Sequence, residues 1–91
     1  MGKYLIDFKE TAIIEILKIK KSGDKSSIKK LEKILLELED CPKIGTGNPE
    51  PLKHHLSGYW SRRINKKDRL IYEIIEEPDK LVVVVSALGH Y

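Results

Sequence analysis

Between residues 42 and 51 the chain places Pro42, Gly45, Gly47, Asn48, Pro49 and Pro51, a density of breaking residues that no helix or strand accommodates. This irregular loop divides the sequence into two halves of different period. Before it, after a short β-prone start at Tyr4, Leu5, Ile6 and Phe8, apolar residues recur every three or four positions; beyond it they gather in short runs of strand-forming residues. A chain that groups its helices and strands in this way suits an α+β fold, with two helices packed on one face of a mostly antiparallel sheet.

Ala12, Ile13, Ile16 and Leu17 set a first helix over residues 9–21, and Ser22, Gly23 and Asp24 stop it. Ser26 or Ser27 offers a side-chain oxygen to cap the next helix. There Ile28, Leu31, Ile34, Leu35 and Leu38 form one apolar stripe, with Lys29, Lys30, Lys33 and Glu37 on the opposite, polar side. Asp40, Cys41 and Pro42 end it, because proline disfavours helix at the residue before it. Three strands are expected at 59–64, 70–75 and 81–88, joined by polar turns at 65–68 and 76–80. The β-branched run at 82–85 reads as a central strand covered on both faces.

At 91 residues the chain is expected to form one domain, residues 1–91, and its 41% hydrophobic content separates it from disordered sequences. No run approaches the roughly 18 apolar residues of a membrane span, and residues 1–8 lack the long apolar stretch of a signal peptide. Cys41 is the only cysteine, which excludes an intramolecular disulfide and fits a reducing cytoplasm. It also leaves no cysteine–histidine set for a structural zinc, so neither metal nor cofactor is expected.

The net charge of +3 is unevenly spread. Residues 1–40 carry +1 and residues 71–91 carry −3, whereas Lys43, Lys53, Arg62, Arg63, Lys66, Lys67 and Arg69 against Glu50 and Asp68 give residues 41–70 a charge of +5. A confined positive patch focuses its field on an anionic partner such as nucleic acid. Within and beyond that patch, Glu50, Lys53, His54, His55, Arg62, Arg63, Arg69, His90 and Tyr91 mix a base, an acid and cations. Cutting RNA without metal needs a group to take the 2′-hydroxyl proton, a group to protonate the departing 5′-oxygen, and cations for the charge on the phosphorane-like transition state.

Asn48 to Ile64, NPEPLKHHLSGYWSRRI, followed by DRLIYEI from Asp68 and the ending GHY, resembles the YoeB/Txe family. These are ribosome-dependent messenger RNA endonucleases of bacterial toxin–antitoxin pairs, within the RelE/ParE superfamily. The blocks stand in the family's order and spacing, while the two N-terminal helices resemble it in pattern only. The resemblance implies a small, microbial-RNase-like sheet flanked by two N-terminal helices. It implies Glu50 as the general base on the 2′-hydroxyl and His90 as the general acid, a role imidazole suits because its pKa of about 6.5 lies near neutrality. Arg69 matches the cation on the scissile phosphate, Lys53 and Arg63 supporting phosphate contacts, and Tyr91 the aromatic that orients the substrate nucleotide. Implied products are a 2′,3′-cyclic phosphate, or its opened form, and a 5′-hydroxyl. Implied partners are the ribosome, messenger RNA and a separate acidic antitoxin of the YefM/Axe kind, with a homodimer left open. In one departure from the pattern, Leu88 and Gly89 precede His90 where a basic residue is often found.

Each residue also has a structural alternative. Arg63 and Arg69 can pair with Glu73 or Asp68 as surface ion pairs worth about 0–1 kcal/mol. Trp60 and Tyr72 belong to packing, and His54 and His55 would face opposite ways if extended, which argues against a joint catalytic role. Two other functions compete: a non-catalytic, ParE-like toxin that binds a topoisomerase, in which the Glu, Arg, His and Tyr set would be dispensable, and a basic RNA-binding module without cleavage.

Overall fold

The computed structural model describes residues 3–89. Strand β1 (Leu5–Phe8) is followed by helices α1 (Glu10–Lys21) and α2 (Lys25–Leu38). After the long loop come β2 (Glu50–Pro51), a 3-10 turn (His54–Leu56), and strands β3 (Tyr59–Arg63), β4 (Arg69–Ile75) and β5 (Leu81–Gly89). The strands form one sheet in the order β1-β5-β4-β3-β2, antiparallel except where β1 runs parallel to β5. Among the described residues no helix is long and apolar enough to cross a membrane.

Both helices pack on one face of this sheet, and the expected α+β architecture is what is found. Leu31, Ile34 and Leu38 of α2 and Ala12, Ile16 and Ile19 of α1 close over Leu70, Tyr72, Val82, Val84 and Ala87. The α1 stripe differs from the expected one. Its buried positions follow the spacing 12, 16, 19, which leaves Ile13 and Leu17 about half exposed beside the cleft between the helices. Val82, Val83 and Val84 are buried in β5, an inner strand between β1 and β4, whereas Val85 is only partly buried; Trp60 and Tyr72 pack in or against the core as expected.

The cap of α2 is Asp24, where Ser26 or Ser27 was expected. Its Oδ1 accepts from the Ser27 N–H at 3.2 Å and its Oδ2 from the Ser27 hydroxyl at 2.7 Å, so the serine is the donor of the pair. Those bonds hold the Asp24 carboxyl below its usual pKa. The cap also reaches the sheet, because Asn65 in the β3–β4 turn donates to the Ser27 hydroxyl at 2.9 Å. Removing an N-cap carboxylate exposes unpaired helix amides, so Asp24→Ala should lower the melting temperature by several degrees. Asp24→Asn, which keeps an acceptor, should lose much less in the same thermal scan.

Candidate active site

β2 is two residues long and was not expected as a strand; the loop reading ran through Glu50. Pairing across the sheet settles what shares a face, since directly opposed residues project to the same side. Glu50 lies opposite Ser61, and two residues further along β3 Arg63 lies opposite Arg69. The alternate residues Arg62, Leu70 and Tyr72 point to the helix-covered side, so Glu50, Arg63 and Arg69 stand together on the open face.

Arg69 Nη1 donates to Glu50 Oε1 at 3.4 Å. That is looser than the about 2.7–2.9 Å of a tight charge-assisted bond. The two side chains are 27% and 47% exposed, so both remain reachable from solvent. Arg63 is exposed at the end of β3. Lys53 joins Glu50, Leu52 and the 3-10 turn in lining a groove of about 560 Å³. His54 and His55 sit in that turn, exposed, with His54 in the left-handed region at φ 60°. They are therefore not the extended pair whose rings alternate across a strand. This arrangement places a half-exposed carboxylate beside a guanidinium, flanked by further cations, as phosphodiester chemistry with a proton-accepting carboxylate requires.

β5 reaches the same face. It carries register shifts against β4 between Arg69 and Ile71 and again between Ile71 and Tyr72, and ends with Gly89 directly opposite Arg69. Glu15 of α1 accepts from the irregular Ala87 and Leu88 amides at 2.8 and 3.1 Å, a role that no local pattern in the sequence signalled. Leu88 packs against the core. His90 and Tyr91, the expected acid and aromatic, lie outside the described residues.

Arg62 is a correction. It was grouped with the cations that could carry chemistry, yet it is wholly buried, because its neighbour Arg63 takes the open face and adjacent strand residues must alternate. Its Nη1 meets Glu37 Oε1 at 2.7 Å, Nη2 donates to the carbonyls of Cys41 and Ile44 at 2.6 and 2.9 Å, and Nε donates to the Tyr72 hydroxyl at 3.1 Å. Glu37, expected on the polar side of α2, is thus an inward partner. It also accepts from the Thr46 N–H and hydroxyl, each at 2.8 Å. Tyr72 donates onward to the Pro42 carbonyl at 2.6 Å, and burial pushes its phenol up, only partly offset by Arg62, so it stays protonated near neutrality.

Partial burial pushes the Glu37 carboxyl up, but hydrogen bonds from Thr46 and Arg62 and the Arg62 charge outweigh it, leaving the pKa below its ordinary 4.5. A depressed carboxylate stabilises the fold fully above its unfolded pKa and loses that contribution as pH falls through the folded value. The urea midpoint should therefore drop on acidification below about pH 4.5, and part of that drop should vanish in Glu37→Gln. An unchanged acid profile in the variant would remove Glu37 as its source.

Residues 8–91 match the family model of the YoeB-like toxin of bacterial type II toxin–antitoxin systems. The chain is 40% identical over 68 residues to Toxin YoeB of Escherichia coli O6:H1, covering 75% of this chain and 77% of that protein. In structure it resembles the YoeB dimer from Staphylococcus aureus, with a TM-score of 0.79 at 33% identity over 99% of this chain and 100% of that one. It also resembles the toxin of the heterotetrameric YoeB–YefM toxin–antitoxin complex from the same organism, with a TM-score of 0.76 at 32% identity over 99% and 100% of the two chains.

Proposed function

Because the chain belongs to the YoeB-like toxins of bacterial type II toxin–antitoxin systems, we propose that it is a ribosome-dependent endoribonuclease that cuts messenger RNA in the decoding site and so stops translation. The observation that carries this reading is the Glu50 carboxylate held 3.4 Å from the Arg69 guanidinium on the open face, with Arg63 directly opposite Arg69. In the proposed reaction Glu50 takes the 2′-hydroxyl proton and the 2′-oxygen attacks the adjacent phosphorus. Arg69 exchanges its loose contact with Glu50 for the phosphate, with Lys53 and Arg63 adding positive charge at the developing dianion. The 5′-oxygen leaves with a proton from His90, giving a 2′,3′-cyclic phosphate and a 5′-hydroxyl, and Tyr91 orients the nucleotide. No step calls for a metal or cofactor.

A carboxylate is a far weaker base than the alkoxide formed from a hydroxyl, so the ribosome's part is to bend the RNA for in-line attack, and such positioning supplies several kcal/mol of barrier lowering. The S. aureus complex pairs a YoeB with a YefM, which supports a YefM-like antitoxin as the neutralising partner here. An acidic segment of that antitoxin would cover the basic face in the cytoplasm. The test is to incubate the protein with one messenger RNA, naked and on ribosomes stalled with an empty decoding site, and to map 5′-ends. Cuts confined to the ribosome-bound RNA are expected. Tight RNA or topoisomerase binding with no cut in either sample would overturn the endonuclease reading.

A further inference from the structure

The carboxylate at the centre of this site stands on slender support. β2 has two residues, and Pro51 has no N–H to give to a ladder, so pairing with β3 alone holds Glu50 weakly. The preceding loop is held instead from inside the fold. Arg62 takes the carbonyls of Cys41 and Ile44, with a longer contact of 3.4 Å to Thr46. Tyr72 takes Pro42, and Glu37 takes the N–H and hydroxyl of Thr46. The Arg63 N–H then donates to Gly47 O at 2.7 Å.

Gly47, at φ 87°, comes so close that a Cβ there would stand 2.7 Å from the Arg63 carbonyl oxygen, which no other residue accommodates. Glu50 follows three residues on. Adjacent arginines thus split the work. Arg62 clamps the loop from the core, while Arg63 ties it by its backbone and presents its side chain to the open face.

We propose that Arg62, clamped by Glu37 and Tyr72, is a positioning residue that acts through the 41–47 loop to set Glu50 against Arg69. The inference rests on the endonuclease reading and adds a buried guanidinium and phenol and a partly buried carboxylate that lie behind the site. Loosening the clamp lets the carboxylate drift from the 2′-hydroxyl, and a displacement of about 1 Å can cost around 100-fold in rate. Binding of the RNA backbone by Lys53 and Arg69 is left largely intact.

The test is a double-mutant cycle in single-turnover cleavage of ribosome-bound messenger RNA, using Glu37→Gln, Glu50→Gln and the double variant. It is run at a temperature where circular dichroism shows every variant folded. Glu37→Gln should lower the saturated rate roughly 10- to 100-fold with little change in the half-saturating concentration. In the Glu50→Gln background the same change should alter the residual rate less than about twofold, because the group it positions is already gone. Tyr72→Phe, which keeps the ring and loses the bond to Pro42, provides a second variant and should show the same non-additivity.

Equal losses in both backgrounds would overturn the positioning role and leave the clamp purely structural. A wild-type rate in both Glu37→Gln and Tyr72→Phe would do the same. A wild-type rate in Glu50→Gln would be a different failure, removing the proposed base and the positioning role with it.

Discussion

Glu50→Gln is expected to slow single-turnover cleavage of ribosome-bound messenger RNA by about 10²- to 10⁴-fold, the range that removal of a general base spans. The amide keeps the shape of the carboxylate and an oxygen for Arg69, but it cannot take a proton from the 2′-hydroxyl. Arg69→Ala should cost about 10²- to 10³-fold by a different route, since it removes donors from the phosphate as charge develops there. Neither change should move the melting temperature much, because the Glu50 side chain is 47% exposed and the pair is a loose 3.4 Å contact at the surface. His90→Gln belongs to the same set and should slow departure of the 5′-oxygen. Parallel losses of rate and of folding in any of the three would reassign that residue to structure.

The second large effect falls on stability. Arg62→Ala removes a buried guanidinium from Glu37, Tyr72 and two loop carbonyls at once. Breaking a buried pair by deleting one partner typically costs about 3–5 kcal/mol, because the groups left behind lose their partner without regaining full access to water. For a domain of ordinary stability, about 5–15 kcal/mol, that is a large share of the total. The urea midpoint of Arg62→Ala should fall accordingly, whereas Arg63→Ala, one residue away and exposed, should leave it within experimental error. Equal midpoints for the two variants would contradict the opposed orientation of the side chains.

The candidate residues could be picked out of the chain because motif spacing and turn chemistry are local. Glu50, Arg63 and Arg69 stand on one face of the sheet, and Arg69 pairs with Glu50 where Asp68 or Glu73 had been weighed. Asp68 is instead buried in the β3–β4 turn, accepting from Asn65 at 3.1 Å. The long-range partners of Glu15 and Glu37 were not legible. Each looks like an ordinary helix carboxylate, and its value comes from a partner 72, 73 or 25 residues away.

The sequence by itself determined the order of the two helices and the longer strands, the main breaks between them and the family, but not the short strand β2. Periodicity, capping and the intolerance of helices and strands for Pro and Gly act over a few residues and need no knowledge of the rest. Only the tertiary structure decided which of two adjacent arginines faces the core. That depends on which side of the sheet the helices cover and on the register that puts Arg62 opposite Leu70 and Arg63 opposite Arg69. A shift of one residue would exchange them, because side chains alternate along a strand. The choice is therefore made by packing across the whole fold, where Glu37 and the loop carbonyls wait on one side and the open face lies on the other.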